Sequence, residues 1–351
     1  MKRNLPKTDR LKNFSGKPML SKTSHPKNFK TPKFNPPGIL KSPFLQTALA
    51  SFAWNLPKEM PFLSGSDRIV LDAGQGVKLE GSLSRQKNRK AKGFLILLHG
   101  WEGSIDSTYI LRTSHYFYEK GYDIFRLNYR DHGDTHHLNP EPFNGSLIEE
   151  TYEAVRKATF FADRNVPVFI TGFSLGGNFT LRIARVHSQS EKKLNQLKEC
   201  IAVSPAIHPK DATILMDGKL IIGNYFLNKW KKSIRKKRIH FPTLVPYDEI
   251  LKERSVMKMT KKLIDSTDEF QDLDHYFGTY TLGEKELSQI LVSTTILTAK
   301  DDPIIRGESF LSLHPNKNVK ISIQDFGGHN GFLENWKGSC WYFRILEEIF
   351  C

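Results

Sequence analysis

The sequence is poor in cysteine and has no long apolar run. Its three cysteines, Cys200, Cys340 and Cys351, show no C-x-x-C spacing, which argues against a disulfide framework and against a zinc knuckle. Reduced thiols are expected, with Cys200 a small core residue beside Ile201 to Val203 and Cys351 exposed. The apolar run at the clearest strand, Phe94 to Leu98, is far short of the roughly 18 residues a bilayer crossing needs. Met1 to Asn13 is positively charged, but the apolar middle region of a secretory signal does not follow it. No transmembrane helix is expected, and the expected location is cytoplasmic, with peripheral contact at a membrane left open. With 351 residues, 39% of them hydrophobic, the chain can build one large core or two smaller ones, which excludes a disordered or collagen-like class.

Acidic residues are also in deficit, and the deficit is local. The net charge is +15, yet residues 1–41 hold 11 Lys/Arg against one acid, Asp9. Residues 85–92 add five basic side chains and residues 229–238 add seven, neither with an acid. Removing those 22 charges from +15 leaves the rest at −7, so the body of the protein is mildly acidic. Residues 1–37, rich in Lys, Pro, Ser and Asn, read as a disordered or extended tail, because such a composition cannot offset the entropy of ordering. The tail could be a solvated arm or an electrostatic tether to an anionic surface, helped by Phe14, Phe29 and Phe34. In the third block Leu227, Trp230 and Ile234 recur at helical spacing among lysines, the pattern of a basic amphipathic helix. Its apolar side either packs on the domain below or meets a membrane or acyl chain.

From Arg68 onward strand and helix signals alternate, which predicts a mostly parallel sheet with helices on both faces. Eight strands are expected: Arg68 to Asp72, Val77 to Leu83, Phe94 to Leu98, Asp123 to Tyr129, Val168 to Thr171, Cys200 to Val203, Thr294 to Thr298 and Val319 to Gln324. The first two form a hairpin turned by Gly74 to Gly76. Ser146 and Glu149 make a capping-box signature for a helix running to about Asp163. Between Ser204 and about Leu291 the strand rhythm gives way to charged helical segments. The expected division is therefore a core over 38–204 and 292–351, with a helical cap inserted at 205–291.

Gly172-Phe173-Ser174-Leu175-Gly176 is a G-x-S-x-G, too short a pattern to mean much alone. Its place between a strand and a helix matters more, since a tight turn there pushes the serine hydroxyl to the carboxyl edge of the sheet and aims a helix N-terminus at it. Ser174 is the candidate nucleophile. A serine needs a base to activate it and an acid to orient the base. Of twelve histidines, His329 is the best base, in an exposed glycine-flanked loop after the last strand. His99 instead braces the turn after its own strand. The acid should follow the strand Thr294 to Thr298. Asp302, which precedes Pro303, is preferred, with Asp301 in reserve. Backbone N–H groups of Trp101 and Leu175 are candidate oxyanion donors. The cluster Asp131-His132-Gly133-Asp134-Thr135-His136-His137 has metal-binding residue types, but a hydrogen-bonded rim beside the site is the simpler reading.

These blocks together resemble the α/β-hydrolase superfamily, and more narrowly a group of bacterial serine esterases related to the abhydrolase-domain lipases. The likeness runs from about Phe34 to Phe350 through L-L-H-G-W-E-G-S (97–104), R-D-H-G-D-T-H-H-L-N (130–139), G-F-S-L-G-G-N (172–178), D-D-P (301–303) and G-G-H-N-G-F (327–332). The resemblance implies a triad of Ser174, Asp302 and His329, with carboxylic esters, including acylglycerols and phospholipids, as the substrate class. Phe44-Leu45-Gln46-Thr47 departs from relatives that start this box with His. Tyr225, Phe226 and Trp230 suggest an apolar acyl pocket. The expected activity is hydrolysis of a medium-chain ester or lipid through an acyl-enzyme, with no metal or organic cofactor. The alternatives are an acyltransferase with the same triad, a metal-dependent hydrolase using residues 131–137, and a basic protein binding lipid or nucleic acid on a hydrolase scaffold. The expected partner is a small ester or lipid, with anionic membrane contact through tail and cap possible and nucleic acid disfavoured.

Overall fold

The computed structural model describes residues 31–53 and 56–351, so Phe14, Phe29 and the rest of residues 1–30 lie outside the described residues. Among the described residues eight strands form one sheet: β1 Ser66–Asp72, β2 Lys78–Ser84, β3 Gly93–Leu98, β4 Tyr122–Leu127, β5 Val168–Phe173, β6 Leu197–Val203, β7 Ser293–Ala299 and β8 Val319–Gln324. The spatial order is β1-β2-β4-β3-β5-β6-β7-β8. β2 runs antiparallel to both β1 and β4, and every other neighbouring pair is parallel. The expected hairpin and eight-stranded sheet are both present.

The helices are α1 Pro43–Ser51, α2 Thr108–Glu119, α3 Ile148–Thr159, α4 Leu175–Gln189, α5 Pro209–Asp217, α6 Leu220–His240, α7 Tyr247–Lys252, α8 Val256–Asp265, α9 Leu273–Gly278, α10 Glu284–Leu287 and α11 Trp341–Phe350. Strand side chains alternate between two buried faces, as period two requires. Phe94, Ile96 and Leu98 face a cluster with α3 and α4, while Leu95 and Leu97 face α2 and α11. Cys200 sits in this core and Cys351 is exposed.

Six helices, α5 to α10, lie between β6 and β7. Met216, Leu227, Trp230, Ile234, Ile250 and Met259 form an apolar cluster of their own there. Tyr276, Phe277, Leu287 and Ile290 join the main core instead. The apolar side of α6 therefore packs inward, as one of its two expected readings had it.

Three local expectations need correction. Phe34 is no tether: it is buried against the rings of Phe332 and Trp341, and its N–H donates to Gln324 Oε1 at 2.7 Å. The end of the basic tail, residues 31–37, is thus extended chain packed on the domain, because its one large apolar side chain has a slot to fill. The capping box at Ser146 does not form. The Ser146 hydroxyl donates to Asn144 Oδ1 at 2.5 Å, α3 starts later, and the buried Arg182 guanidinium draws in the carbonyls of Gly145 and Ser146 at 2.7 and 2.6 Å. The His329 loop is buried rather than exposed, because α1 covers it.

Candidate active site

Ser174 occupies the single residue between β5 and α4, with φ 55° and ψ −117°. A side chain at positive φ costs on the order of 1–3 kcal/mol and persists only where its surroundings enforce it. The enforcement is visible at the flanking glycines. A Cβ on Gly172 would stand 2.0 Å from the Gly176 carbonyl, and one on Gly176 would stand 2.3 Å from the Leu98 carbonyl. Helix α4 can begin this close to the ends of β3 and β5 only without those side chains, and the Ser174 N–H is tied to Val203 O at 2.9 Å.

The three residues expected to act together meet. His329 Nε2 is 2.8 Å from Ser174 Oγ, and His329 Nδ1 is 2.8 Å from Asp302 Oδ2. A carboxylate only accepts, so Nδ1 carries the ring proton and the Nε2 lone pair faces the serine. Asp302 Oδ1 accepts the N–H groups of Ile304 and Ile305 at 2.8 and 2.9 Å, which leaves Oδ2 for the histidine. Asp301, the reserve acid, does something else: its Oδ1 accepts the Gly328 N–H at 2.9 Å, holding the histidine loop from behind.

Thr47 was not anticipated. Its Oγ1 accepts the His329 N–H at 2.9 Å, and Gln46 bonds both the N–H and the C=O of Leu333 at 2.8 and 3.1 Å. The departing L-Q-T box is thus the brace for the histidine loop. Gly328, at φ 53°, lets the loop pass this close, since a Cβ there would stand 2.5 Å from Pro43 O.

The loop after β3 forms the opposite wall. A Cβ on Gly100 would lie 3.2 Å from Ser174 Cβ, so the backbone at Gly100 runs against the serine. The Gly100 N–H donates to Tyr109 Oη at 2.9 Å. His99 is buried, its Nδ1 2.8 Å from Gly100 O, and burial beside His132 depresses its pKa well below the usual imidazole range. It braces the turn, as expected.

The 131–137 cluster is a socket for α6. Asp131 Oδ1 accepts from the buried Lys237 ammonium at 2.7 Å, and Asp131 Oδ2 accepts the Phe143 N–H at 2.9 Å. The His132 Nδ1–H donates to Arg130 O at 2.7 Å, leaving Nε2 to accept the Glu102 N–H at 3.1 Å. His136 Nε2 meets Ser233 Oγ of α6 at 2.8 Å, and Lys236 pairs with Asp134 at 2.6 Å. Burial takes the pKa of His132 down to about 4 and that of His136 down to about 3. Among the described residues no group of three or more His, Cys, Asp or Glu side chains converges where a metal ion could sit.

Ser174 and His329 open into a cavity of about 900 Å³. Tyr225, Phe226 and Trp230 line it, as do Trp101 and Leu175. Trp101 stacks on Phe226 with centroids 5.7 Å apart and meets Trp230 edge-on at 5.3 Å. Glu102 also lines the cavity, and burial raises its carboxyl pKa to about 8 against the opposing effect of Lys229. Among the described residues no helix is long and apolar enough to cross a membrane.

A mostly parallel eight-stranded sheet with helices on both faces and a serine on the turn after β5 defines the α/β-hydrolase class. The chain belongs to the family described as serine aminopeptidase, S33, whose model matches residues 89–334. It is 24% identical over 263 residues to phospholipase ABHD3 of Mus musculus, covering 73% of this chain and 62% of that protein. The chain thus spans less than two thirds of that relative's length. A Synechocystis protein named "Putative esterase slr0264" is 24% identical over 337 residues, covering 88% of this chain and 89% of its own. Among solved structures, the Pyrococcus furiosus esterase Pf2001 shares the fold at a TM-score of 0.52 and 17% identity, over 89% of this chain and 97% of that one. The 2,6-dihydroxy-pseudo-oxynicotine hydrolase does so at 0.52 and 17%, over 83% and 69%.

Proposed function

We propose that this protein is a serine hydrolase that cleaves carboxylic esters, with a medium-chain ester or a lipid acyl ester as substrate. The carrying observation is the unbroken chain Asp302 Oδ2, His329 Nδ1, His329 Nε2, Ser174 Oγ, with 2.8 Å at both side-chain contacts. In the proposed reaction Ser174 Oγ attacks the ester carbonyl carbon while His329 Nε2 takes its proton. The carbonyl oxygen becomes an oxyanion held by the N–H groups of Trp101 and Leu175 at the N-terminus of α4, an interaction worth about 2.7–4 kcal/mol per donor. Collapse expels the alcohol, which takes the proton from His329, and leaves an acyl group on Ser174. Water, deprotonated by the same imidazole, then releases the carboxylic acid. Asp302 fixes the ring tautomer and steadies the imidazolium.

The apolar wall built by Trp101, Phe226 and Trp230 supports an acyl chain rather than a charged group as the cavity's occupant. The phospholipase and esterase names of the relatives point the same way. Hydrolysis of aryl esters of increasing acyl length checks the reading. Turnover should peak at an intermediate length in the wild type and be absent in Ser174→Ala; equal turnover by the two proteins would defeat it.

A further inference from the structure

Helix α6 carries a second face that the catalytic reading does not use. Its buried residues Gly223, Leu227, Trp230, Ile234 and Lys237 pack inward. On helical spacing, Ile221, Tyr225, Lys229, Lys232 and Lys236 form another stripe, and all five line the cavity mouth. The first turn of the helix is apolar and bare: Leu220 is 78% exposed and Ile221 83%. Across the mouth, α1 and the residue after it contribute Phe44 and Phe52, 55% and 58% exposed. Lys219 Nζ lies 5.7 Å from the Phe44 ring centroid, so the two apolar groups adjoin. Farther along α6, Lys232 and Arg235 are exposed and have no carboxylate partner among the described residues.

A bare apolar rim of this kind marks an interaction surface, and the positive charge beside it selects among partners. We propose that the cavity mouth docks on an anionic lipid surface, with Leu220, Ile221, Phe44 and Phe52 entering the acyl boundary while Lys232 and Arg235 meet the headgroups. Apolar insertion and cation attraction add in this geometry, and Phe44, Phe52 and Ile221 line the same cavity as Ser174. A nucleic acid would engage the cations and leave the apolar rim in water. The inference extends the proposed hydrolase reading, because it supplies the route by which an acyl chain leaves a bilayer for the cavity. Docking itself does not require Ser174.

The test is sedimentation of the full-length chain, as Ser174→Ala to prevent lipid turnover, with vesicles of phosphatidylcholine alone or with phosphatidylglycerol added. Every variant keeps residues 1–41, so the basic tail contributes equally throughout. The anionic vesicles should bind the protein at least about tenfold more tightly than the neutral ones. Adding Leu220→Ser and Arg235→Glu together should weaken anionic binding by about tenfold or more. In the otherwise wild-type chain the same pair should leave hydrolysis of a water-soluble aryl ester intact, showing that the variant is folded. Undiminished vesicle binding by the pair would overturn the proposal. So would equal binding to both vesicle types, or a loss of self-association as the pair's only effect. Failure of Ser174→Ala to abolish ester hydrolysis would strike the catalytic reading and leave the docking result standing.

Discussion

The Ser174 turn and helix α6 face each other across one cavity, yet they are built by different means. Around Ser174, position comes from backbone: positive φ, glycines with no room for a Cβ, and N–H groups bonded to Val203 O, Asp302 and Thr47. Along α6, position comes from side chains, with an apolar cluster beneath and one buried ion pair, Lys237 with Asp131. Chemistry that needs fixed distances rests on the sheet edge, where hydrogen bonds set atoms to a few tenths of an ångström. Selection of a substrate rests on a surface that can change residue by residue without moving the nucleophile.

If that contrast is right, substitutions at the two places should fail differently. Ser174→Ala should lower kcat/KM for an aryl ester by at least about 10⁴-fold and leave thermal unfolding unchanged, and Asp302→Asn should cost about 10⁴-fold in kcat by losing the correct tautomer. Asp301→Asn, which keeps an acceptor for Gly328, should cost only a few-fold. Steady-state kinetics on the three variants separates the neighbouring acids. Lys237→Met should instead destabilise the fold by about 3–5 kcal/mol, because it strands the Asp131 carboxylate. Pairing it with Asp131→Asn should recover much of the loss in a denaturant titration.

A smaller effect is expected at Thr47, which lies between these extremes. Thr47→Val keeps the shape and removes the acceptor for the His329 N–H. It should lower kcat by about tenfold with little change in KM.

The effects of pH on stability come last, and their signs oppose. Glu102 has its pKa raised from 4.5 to about 8 by burial, so the native state holds a proton that the unfolded chain has released. Stability therefore falls as pH rises from about 4.5 through 8. His132 and His136 have pKa values lowered from 6.5 to about 4 and 3, so the unfolded chain binds protons that the native state refuses. Stability falls again as pH drops below about 6.5. Thermal melts should show a single maximum near pH 6.5, falling on both sides, with Glu102→Gln losing less stability than wild type between about pH 6.5 and 8.

Much of the sheet and the nucleophile's turn was legible because their signals are local. Strand residues alternate with turn residues, and Gly172, Ser174 and Gly176 sit within five positions. His329 and Asp302 were legible from chain order, each standing just past a recognisable strand. Thr47 was not, since its role depends on α1 folding back over a loop 282 residues away. Lys237 reads in the sequence as one of seven basic residues on an amphipathic helix; only the packing of α6 against the Asp131 loop buries it. Ser146 had the right partner spacing for a cap, but Arg182 claimed the neighbouring carbonyls from another helix. The tail's Phe34 likewise packs against Phe332 and Trp341, a contact that no local pattern announces.

The most direct measurement is peptide mapping after reaction with an active-site fluorophosphonate. The account predicts one stoichiometric adduct, on the peptide bearing Ser174, with labelling slowed strongly in His329→Ala. An adduct on another residue, or no adduct on a folded protein, would contradict it.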